Sequence, residues 1–302
     1  GKYGTECLGD LFGLPEYTKN MLEFDGCLNV MKGAIEVCDR FTTVSPTYAS
    51  EILNPFFAQG LESITNRNAF KLKGILNGID EDYYNPKTDG KIFANYSKTS
   101  PAKKLENKRG LQSMLGLPVK DEVPVISMIT RLVKHKGLDL VTCVLEELLH
   151  EDVQFVVLGT GDVVYESFFR YLAERYSGKM RFVAAFNKDL AAKIYAGSDL
   201  FLMPSKQEPC GLSQMIACRY GTIPVVRKTG GLADSIPSVN NDGFGYVFEN
   251  FNAHEMLFEV KRAVGDFNNK TYWTKLIKKA MAADFSWASS ALEYAKMYDE
   301  IL

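Results

Sequence analysis

The feature that most constrains the fold is a regular alternation of continuously apolar and amphipathic segments in the centre of the chain. VPVISMIT at 123–130 is almost wholly apolar, and the next segment, 137–150, has its apolar residues at helical spacing. Continuously apolar runs separated by helices of about ten to fifteen residues predict βαβ units and a buried parallel sheet. The predicted strands lie at 123–130, 153–159, 180–186, 199–204 and 222–227.

This alternation predicts an α/β protein in which a Rossmann-like parallel sheet occupies residues 82–285. Residues 1–81 contain one short strand pattern and two helical patterns, which are too few elements to enclose a core. We therefore expect 1–81 to be the remnant of a domain whose beginning lies outside this chain. The polar stretch 97–110 is expected to be an exposed connection, and 286–302 a terminal helix.

Composition and charge exclude several classes of partner. The 302 residues carry a formal net charge of −2, too close to neutral to attract nucleic acid or an anionic membrane at long range. The apolar runs are shorter than the roughly 18 residues that a membrane span needs. The six cysteines form no C-x-x-C pair and there are three histidines, so we expect reduced thiols, a cytoplasmic location and no metal site.

Two basic residues follow the first predicted strand of the sheet. Arg131 stands directly after it and Lys136 five positions later, before a predicted helix. A guanidinium binds oxyanions through two parallel hydrogen bonds and an ammonium adds a point charge, so the pair suits a diphosphate at this sheet edge. The alternative is two solvated charges on a loop. His135 has no visible acidic partner and is expected to be a bystander.

Glycine turns follow other predicted strands at the same edge. LGTGD at 158–162 would let a ligand approach the backbone, although a tight strand-to-helix connection explains its glycines equally well. Gly211 and the pair Gly230 and Gly231 stand where helices are predicted to begin. Backbone N–H groups at helix N-termini favour phosphate oxygens, so these glycines extend the predicted anion site.

Glu208 lies in EPCGLSQ, on the turn between a predicted strand and a predicted helix. A carboxylate repels phosphate, so beside a phosphate site it is better suited to accept hydrogen bonds from sugar hydroxyls. The alternative is a surface residue in the first turn of the helix. Asn77 belongs to an Asn-Gly turn, which is commonly structural. Cys210 and Cys218 are expected to be packing residues.

Seven segments, taken in order, resemble those of the bacterial glycogen synthases and plant starch synthases that use ADP-glucose. The resemblance implies the GT-B architecture, in which two Rossmann-like domains face each other across a cleft. It also implies transfer of glucose from ADP-glucose to the non-reducing 4-hydroxyl of an α-1,4-glucan with retention, in the cytoplasm or, in a plant, in the plastid. The segments are TVSPTYASEI, GILNGIDEDYYNP, RLVKHKGLDL, LGTGD, PSKQEPCGLSQ, YGTIPVVRKTGGLAD and FSW.

The same resemblance assigns roles to residues at matching positions, and it implies no cofactor. Arg131 and Lys136 correspond to the pair that grips the departing diphosphate, and Glu208 to the glutamate that binds glucose hydroxyls. Phe186 falls where the family often has a tyrosine beside the adenine. The predicted catalytic residues are Arg131, Lys136 and Glu208, and the predicted nucleotide-sugar-binding residues are Asn77, Gly159, Gly161, Phe186, Cys210, Gly211, Leu212, Ser213, Thr229, Gly230 and Gly231.

Two features depart from related transferases. Many two-domain retaining transferases carry a second glutamate eight residues after the first, where this chain has Ile216, which argues against sucrose-synthase-like relatives. The family's first K-x-G-G-L loop and a histidine near the glucose are absent from this chain. We therefore expect the nucleotide-sugar half of such an enzyme, which binds ADP or ADP-glucose weakly and turns over poorly or not at all.

Other functions remain open at this point. A UDP-sugar-dependent transferase of the same architecture would share these motifs, and so would a non-catalytic module that only binds the nucleotide sugar. A nicotinamide-binding enzyme is disfavoured because LGTGD lacks the third glycine of the dinucleotide fingerprint. The sequence does not indicate an oligomeric state.

Overall fold

In the computed structural model, which describes residues 1–302, the first 74 residues form two small sheets and five short α-helices. The elements are β1 (Lys2–Tyr3), α1 (Cys7–Asp10), α2 (Lys19–Leu22), β2 (Glu23–Phe24), β3 (Cys27–Asn29), α3 (Val30–Val37), β4 (Phe41–Thr43), α4 (Pro46–Glu51), α5 (Glu62–Arg67) and β5 (Leu72–Gly74). Strand β3 lies between β1 and β2 and is antiparallel to both. Strands β4 and β5 are parallel, so this region is more β-rich than its single predicted strand.

The rest of the chain is built around one six-stranded sheet. Its elements are α6 (Lys104–Met114), β6 (Val125–Ile129), α7 (Leu138–His150), β7 (Gln154–Leu158), α8 (Val163–Arg175), β8 (Met180–Val183), α9 (Lys188–Gly197), β9 (Leu200–Met203), α10 (Ser213–Arg219), β10 (Ile223–Arg227), α11 (Gly230–Ser235), β11 (Tyr246–Phe248), α12 (Ala253–Phe267), α13 (Lys270–Ala282) and α14 (Trp287–Asp299). All neighbouring strands are parallel, in the order β11-β10-β9-β6-β7-β8. The predicted Rossmann-like α/β sheet is confirmed.

The strand order fixes where a ligand site can lie. The chain winds outward from β6 through β7 to β8, then returns to the other side of β6 and continues through β9, β10 and β11. The connections therefore diverge between β6 and β9, and the crevice beyond the carboxyl ends of these two strands is the usual ligand site of such sheets.

The strands form because their side chains are apolar on both faces and are covered by helices on both sides. Ile126, Phe155 and Phe201 are fully buried members of the main core. The five predicted strands of the sheet are confirmed. Strand β11 was not predicted, because it has three residues between a glycine-rich turn and a polar segment, which is too short to show a period.

The prediction of an exposed connection over 97–110 is wrong from Lys104 onward. Helix α6 begins there, and its lysines are buried rather than solvated. Lys104 Nζ donates a hydrogen bond to the Ala196 carbonyl at 2.7 Å, and Lys108 Nζ lies 2.8 Å from a carboxylate oxygen of Asp199. A polar stretch can be buried when each charged group finds acceptors, and a count of polar residues does not reveal this.

The terminal helix expected at 286–302 is present as α14, and it packs back against the segment that follows β5. Ser290 Oγ donates to the Leu76 carbonyl at 2.6 Å, and the Ile79 amide donates to the Phe285 carbonyl at 2.8 Å. None of the helices combines the length and the apolar character needed to cross a bilayer.

Candidate functional site

The residues predicted to be catalytic lie at the crevice between β6 and β9. Arg131 follows β6, and Lys136 ends the 3₁₀ turn Lys134–Lys136 that leads into α7. Glu208 lies in the loop between β9 and α10. The parallel pairing of β6 with β9 brings these loops to the same edge of the sheet, although Lys136 and Glu208 are 72 positions apart in sequence.

Glu208 is buried and forms an ion pair with Lys136. Its exposed fraction is 6%, so the alternative of a surface glutamate is wrong. Lys136 Nζ donates to Glu208 Oε2 at 2.7 Å, and Ser205 Oγ donates to the same oxygen at 2.9 Å. Both bonds end on Oε2, which leaves Oε1 without a donor from the chain. The two predicted roles, sugar binding and diphosphate binding, therefore belong to side chains that touch.

Positive charge accumulates beside this ion pair. Arg131 is exposed, and His135 lies between it and Lys136 in sequence. Partial burial, together with the charges of Lys136 and Arg131, lowers the pKa of His135 below its usual value, although Glu208 opposes the shift. The two cations that lower this pKa also favour an anion at this edge of the sheet.

A cavity of about 420 Å³ opens at Arg131, and it is mostly apolar. Lys136 and Glu208 are not among the residues that line it. Its size is within the range of roughly 300–1,000 Å³ of small-ligand sites. Phe186 stands at its rim with an exposed fraction of 87%, an arrangement that leaves an aromatic face open. Of the predicted site residues, Arg131, Gly159, Phe186, Leu212 and Ser213 line this cavity.

One wall of the cavity was missed by the sequence reasoning about individual residues. It comes from the loop after residue 80 and consists of Tyr83, Tyr84, Asp89 and Lys91. Asp89 accepts a hydrogen bond from the Tyr220 hydroxyl at 2.6 Å, and Lys91 Nζ lies 4.5 Å from the centre of the Tyr83 ring. The sequence feature that could have indicated this wall is a pair of adjacent tyrosines in a polar, proline-containing loop.

The glycines of LGTGD are required by close packing. A Cβ at Gly159 would collide with the Thr130 carbonyl oxygen, and one at Gly161 with the Leu132 carbonyl oxygen. The Leu132 amide also donates to the Thr160 carbonyl at 2.8 Å. A tight strand-to-helix connection is therefore sufficient to explain both glycines. Of the two, only Gly159 also borders the cavity.

The expectation that the amides at Gly230 and Gly231 are open to phosphate is wrong for this structure. Glu51 Oε1 accepts hydrogen bonds from the Gly230 amide at 3.0 Å and from the Thr229 hydroxyl at 2.8 Å. The Gly231 amide donates to the Glu208 carbonyl at 3.0 Å. Gly230 has φ +43°, and a Cβ there would collide with the same carbonyl, so this turn packs against the Glu208 backbone.

The turn between Glu208 and α10 is held from inside the protein. Gln214 Nε2 donates to the Gly211 carbonyl at 2.8 Å and to Ser235 Oγ at 3.0 Å, which ties the turn to α11. Cys210 is buried as expected, and burial raises the pKa of its thiol, while a hydrogen bond with the backbone of Asn77 opposes the shift. Asn77 is thus adjacent to this turn.

Family models match two parts of this chain, and curated relatives match all of it. The family model described as glycosyl transferases group 1 matches residues 116–280, and the model described as starch synthase catalytic domain matches residues 1–67. The glycogen synthases of Bacillus cereus strain Q1 and of Geobacillus thermodenitrificans are each 48% identical over the whole chain. The chain spans 64% and 63% of the lengths of these two relatives.

Solved structures of glycosyltransferases also match this chain. The catalytic domain of starch synthase IV from Arabidopsis thaliana, bound to ADP and acarbose, matches 99% of this chain and 65% of its own, with a TM-score of 0.88 and 35% identity. Sucrose-phosphate synthase from Thermosynechococcus elongatus, at 17% identity and a TM-score of 0.63, shares the fold. The group 1 model covers more than half of the chain, so the protein belongs to the glycosyl transferases group 1, and over its whole length it resembles glycogen and starch synthases.

Proposed function

We propose that the protein to which this chain belongs transfers glucose from ADP-glucose to the non-reducing 4-hydroxyl of an α-1,4-glucan with retention, and that this chain carries the donor site. The observation that carries the proposal is that the Lys136–Glu208 ion pair and an open, aromatic-rimmed cavity lined by Arg131 share the crevice between β6 and β9. A nucleotide sugar needs such a combination, because its diphosphate requires cations, its sugar requires acceptors and its base requires an apolar surface.

Arg131 and Lys136 serve the diphosphate in this proposal. When the bond between the glucose anomeric carbon and the phosphate oxygen breaks, ADP leaves with additional negative charge. The Arg131 guanidinium at the mouth of the cavity and the Lys136 ammonium stabilise that charge as it develops. A new bond forms between the anomeric carbon and the acceptor's 4-hydroxyl oxygen, and the hydroxyl proton leaves with the departing phosphate.

Glu208 serves the sugar. Lys136 and Ser205 both bond to Oε2, so Oε1 can accept a hydrogen bond from a glucose hydroxyl without loss of an internal bond. Because the carboxylate is already neutralised by Lys136, it repels the neighbouring diphosphate less than a free carboxylate would. Asn77 and Cys210, which lie together next to this turn, complete the sugar side.

The base occupies the apolar end of the cavity. The exposed ring of Phe186 provides a stacking face, and Tyr83 lines the same cavity. Leu212 and Ser213 lie at the start of α10, where backbone amides favour phosphate oxygens. Starch synthase IV was solved with ADP, which supports adenine over uracil as the base.

The same proposal divides the chain into three parts. Residues 82–285 form the nucleotide-sugar-binding domain, 1–81 belong to the end of the acceptor domain, and 286–302 return to that domain. Gly230 and Gly231 act through the backbone of Glu208, on which they pack or to which they donate, and Thr229 acts through its hydrogen bond to Glu51. Gly159 acts through its place in the cavity wall. The longer relatives supply the expectation of a facing domain for the glucan.

The test is a calorimetric comparison of ADP-glucose with UDP-glucose on this chain, followed by a glucosyl-transfer assay on the full-length gene product. We expect tighter binding of ADP-glucose. Arg131→Ala should weaken ADP binding by about tenfold, since charge-assisted hydrogen bonds contribute roughly 1.5–3 kcal/mol. Glu208→Ala should abolish transfer and leave ADP affinity within about twofold of the wild type.

Arg175→Ala is the matched control, because Arg175 forms an exposed ion pair with Glu146 away from the cavity. This variant should bind both nucleotides as the wild type does. A clear preference for UDP-glucose would instead favour a UDP-sugar transferase of the same fold. Anabaena HepE, which is 16% identical to this chain and was solved with UDP-glucose, is an example of this fold with such a ligand. Equal losses of ADP affinity in the two site variants would contradict the division of roles.

A further inference from the structure

Helix α4 and helix α11 each receive a carboxylate from the other at their N-terminal ends. Asp234, near the end of α11, accepts hydrogen bonds from the Thr47 amide at 2.9 Å and the Thr47 hydroxyl at 2.6 Å, at the start of α4. Glu51, the last residue of α4, accepts from Thr229 and Gly230 at the start of α11. The two helices therefore run in opposite directions, joined at both ends.

Each of these contacts is favourable for the same physical reason. The first N–H groups of a helix have no partner within the helix and carry partial positive charge, so a carboxylate there satisfies a donor and an electrostatic preference together. Neither α4 nor α11 caps its own N-terminus with the carboxylate involved. The two helices come from segments separated by more than 170 positions, so the contacts fix tertiary rather than local structure.

A third set of contacts joins the residues after α4 to the loop that precedes Glu208. Gln207 Nε2 donates to the Phe56 carbonyl at 2.9 Å, and Lys206 Nζ lies 4.9 Å from the centre of the Phe56 ring. The segment from residue 46 to residue 57 thus touches the loop just before Glu208 and, through Glu51, the turn that packs behind it.

The contact at Glu51 leads directly to Glu208. Glu51 accepts hydrogen bonds from the Thr229 hydroxyl and the Gly230 amide, and the next amide, that of Gly231, donates to the Glu208 carbonyl. Gly230 itself packs so closely on that carbonyl that a Cβ would collide with it. A shift of this turn would therefore move the Glu208 backbone. The side chain of Glu208 is already fixed by Lys136 and Ser205, so its backbone is the part that still needs support.

We propose that Glu51 is a positioning residue for the sugar-binding glutamate: it holds the 229–231 turn, which fixes the backbone of Glu208 and thereby the direction of the free Oε1. This inference rests on the proposed function, since it concerns the glucose part of the donor and not the nucleotide part. It also assigns a function to the segment TYASEI, none of whose residues lines the cavity.

The experiment compares three variants of the 302-residue chain. Glu51→Ala removes both acceptor bonds, Glu51→Gln keeps an amide oxygen that can accept both, and Thr47→Val is the matched control. Thr47→Val breaks a hydrogen bond between the same two helices at the end remote from Glu208. The measurements are amide hydrogen exchange at Gly230 and Gly231, calorimetric affinities for ADP and for ADP-glucose, and the thermal midpoint of each variant.

In Glu51→Ala we expect exchange at Gly231 to be about tenfold faster or more, because local opening no longer breaks the two bonds to Glu51. ADP-glucose affinity should fall by about tenfold while ADP affinity stays within about twofold, in line with a loss of roughly one hydrogen bond to the sugar. Glu51→Gln should recover most of both effects. Thr47→Val should lower the thermal midpoint without changing the ratio of the two affinities.

Unchanged exchange at Gly231 in Glu51→Ala would overturn the proposal, since the turn would then be held by other contacts. Equal losses of ADP and ADP-glucose affinity would also overturn it, because they indicate general destabilisation. Tighter ADP binding in Glu51→Gln would overturn it in favour of a carboxylate that competes with the ligand's phosphate. If the wild-type chain binds neither nucleotide, the proposed function fails, and the exchange measurement still decides whether Glu51 holds the turn.

Discussion

At the residue scale, the ion pair between Lys136 and Glu208 joins two functions in one contact. Both side chains are largely buried, so each is stable as an ion because the other is present. A diphosphate that binds Lys136 shares its ammonium with Glu208, because an ammonium has three N–H donors. Donor binding therefore changes the electrostatic environment of the carboxylate that receives the sugar, without any movement of the backbone.

The ion pair can be tested by a double-mutant cycle on stability. Lys136→Met alone leaves a buried carboxylate with only the Ser205 hydroxyl as a donor, which should lower the free energy of unfolding by about 3 kcal/mol. Adding Glu208→Gln removes that unpaired charge, so the double variant should be more stable than Lys136→Met. Urea denaturation gives the free energy of unfolding of the wild type, the two single variants and the double variant. Additive losses would show that the two side chains are not coupled in solution.

His135 gives a second prediction at this scale, because its pKa is lowered by burial and by the charges of Lys136 and Arg131. A bound diphosphate offsets those charges and should raise the pKa of His135 toward or above its usual value of about 6.5. Between the free and bound pKa values, ADP binding then takes up protons, and affinity increases as the pH falls through this window.

Calorimetry at pH 6.5 in two buffers with different ionisation enthalpies measures this uptake. His135→Gln should abolish the difference between the buffers and retain binding, since the one hydrogen bond that His135 makes to the Glu208 loop, from the Lys206 amide, ends on its backbone carbonyl. A buffer-independent enthalpy for the wild type would show that the diphosphate does not approach this part of the loop.

At the element scale, predictability follows the length and the apolar character of each segment. Five of the six strands of the main sheet are four or five residues long and mostly apolar, and the sequence pattern predicts these five. Strands β1 and β2 have two residues each, which cannot show a period of two. The start of helix α6 falls in the polar stretch predicted to be an exposed connection, because its lysines suggest solvent exposure, whereas the acceptors that bury them are distant in sequence.

The buried lysine of α6 carries a prediction of its own. Lys104 Nζ donates to the Tyr195 and Ala196 carbonyls and to Thr222 Oγ1, yet burial lowers its pKa to about 7. Above that pH the unfolded chain holds a proton that the folded chain has released, up to the ordinary lysine pKa of about 10.4. Stability contributed by Lys104 therefore rises with pH in this window, by at most about 1.4 kcal/mol per pH unit.

Chemical denaturation of the wild type and of Lys104→Met at pH 7, 8 and 9 tests this. The difference in unfolding free energy should grow in favour of the wild type as the pH rises. Lys103→Met, one position earlier and exposed, is the control and should show no such trend. A pH-independent difference for Lys104→Met would mean that the three acceptors keep the ammonium charged in the folded protein.

At the scale of the whole molecule, the site is assembled from segments that are far apart in sequence. Arg131, Glu208 and the glycine turns could be predicted, because parallel strands bring their carboxyl ends to one edge. The tyrosine wall after residue 80 and the contact of Glu51 with α11 could not be derived from local patterns. They depend on how the first 91 residues pack against the sheet, and the contact between Glu51 and Gly230 spans 179 positions.

This assembly predicts how ADP should protect the protein. If the nucleotide fills the cavity, it contacts both the loops of the sheet and the tyrosine wall, so binding should slow hydrogen exchange in two separate regions. We expect protection at 129–131 and 185–191, which border the cavity from the sheet, and also at 83–91, which borders it from the other side. At 100 times the dissociation constant, ADP should stabilise the chain by about 2.7 kcal/mol. Adenosine, which lacks the diphosphate, should protect less at Arg131 than at 83–91. If ADP protects only the loops of the sheet, the tyrosine wall is not part of the nucleotide site.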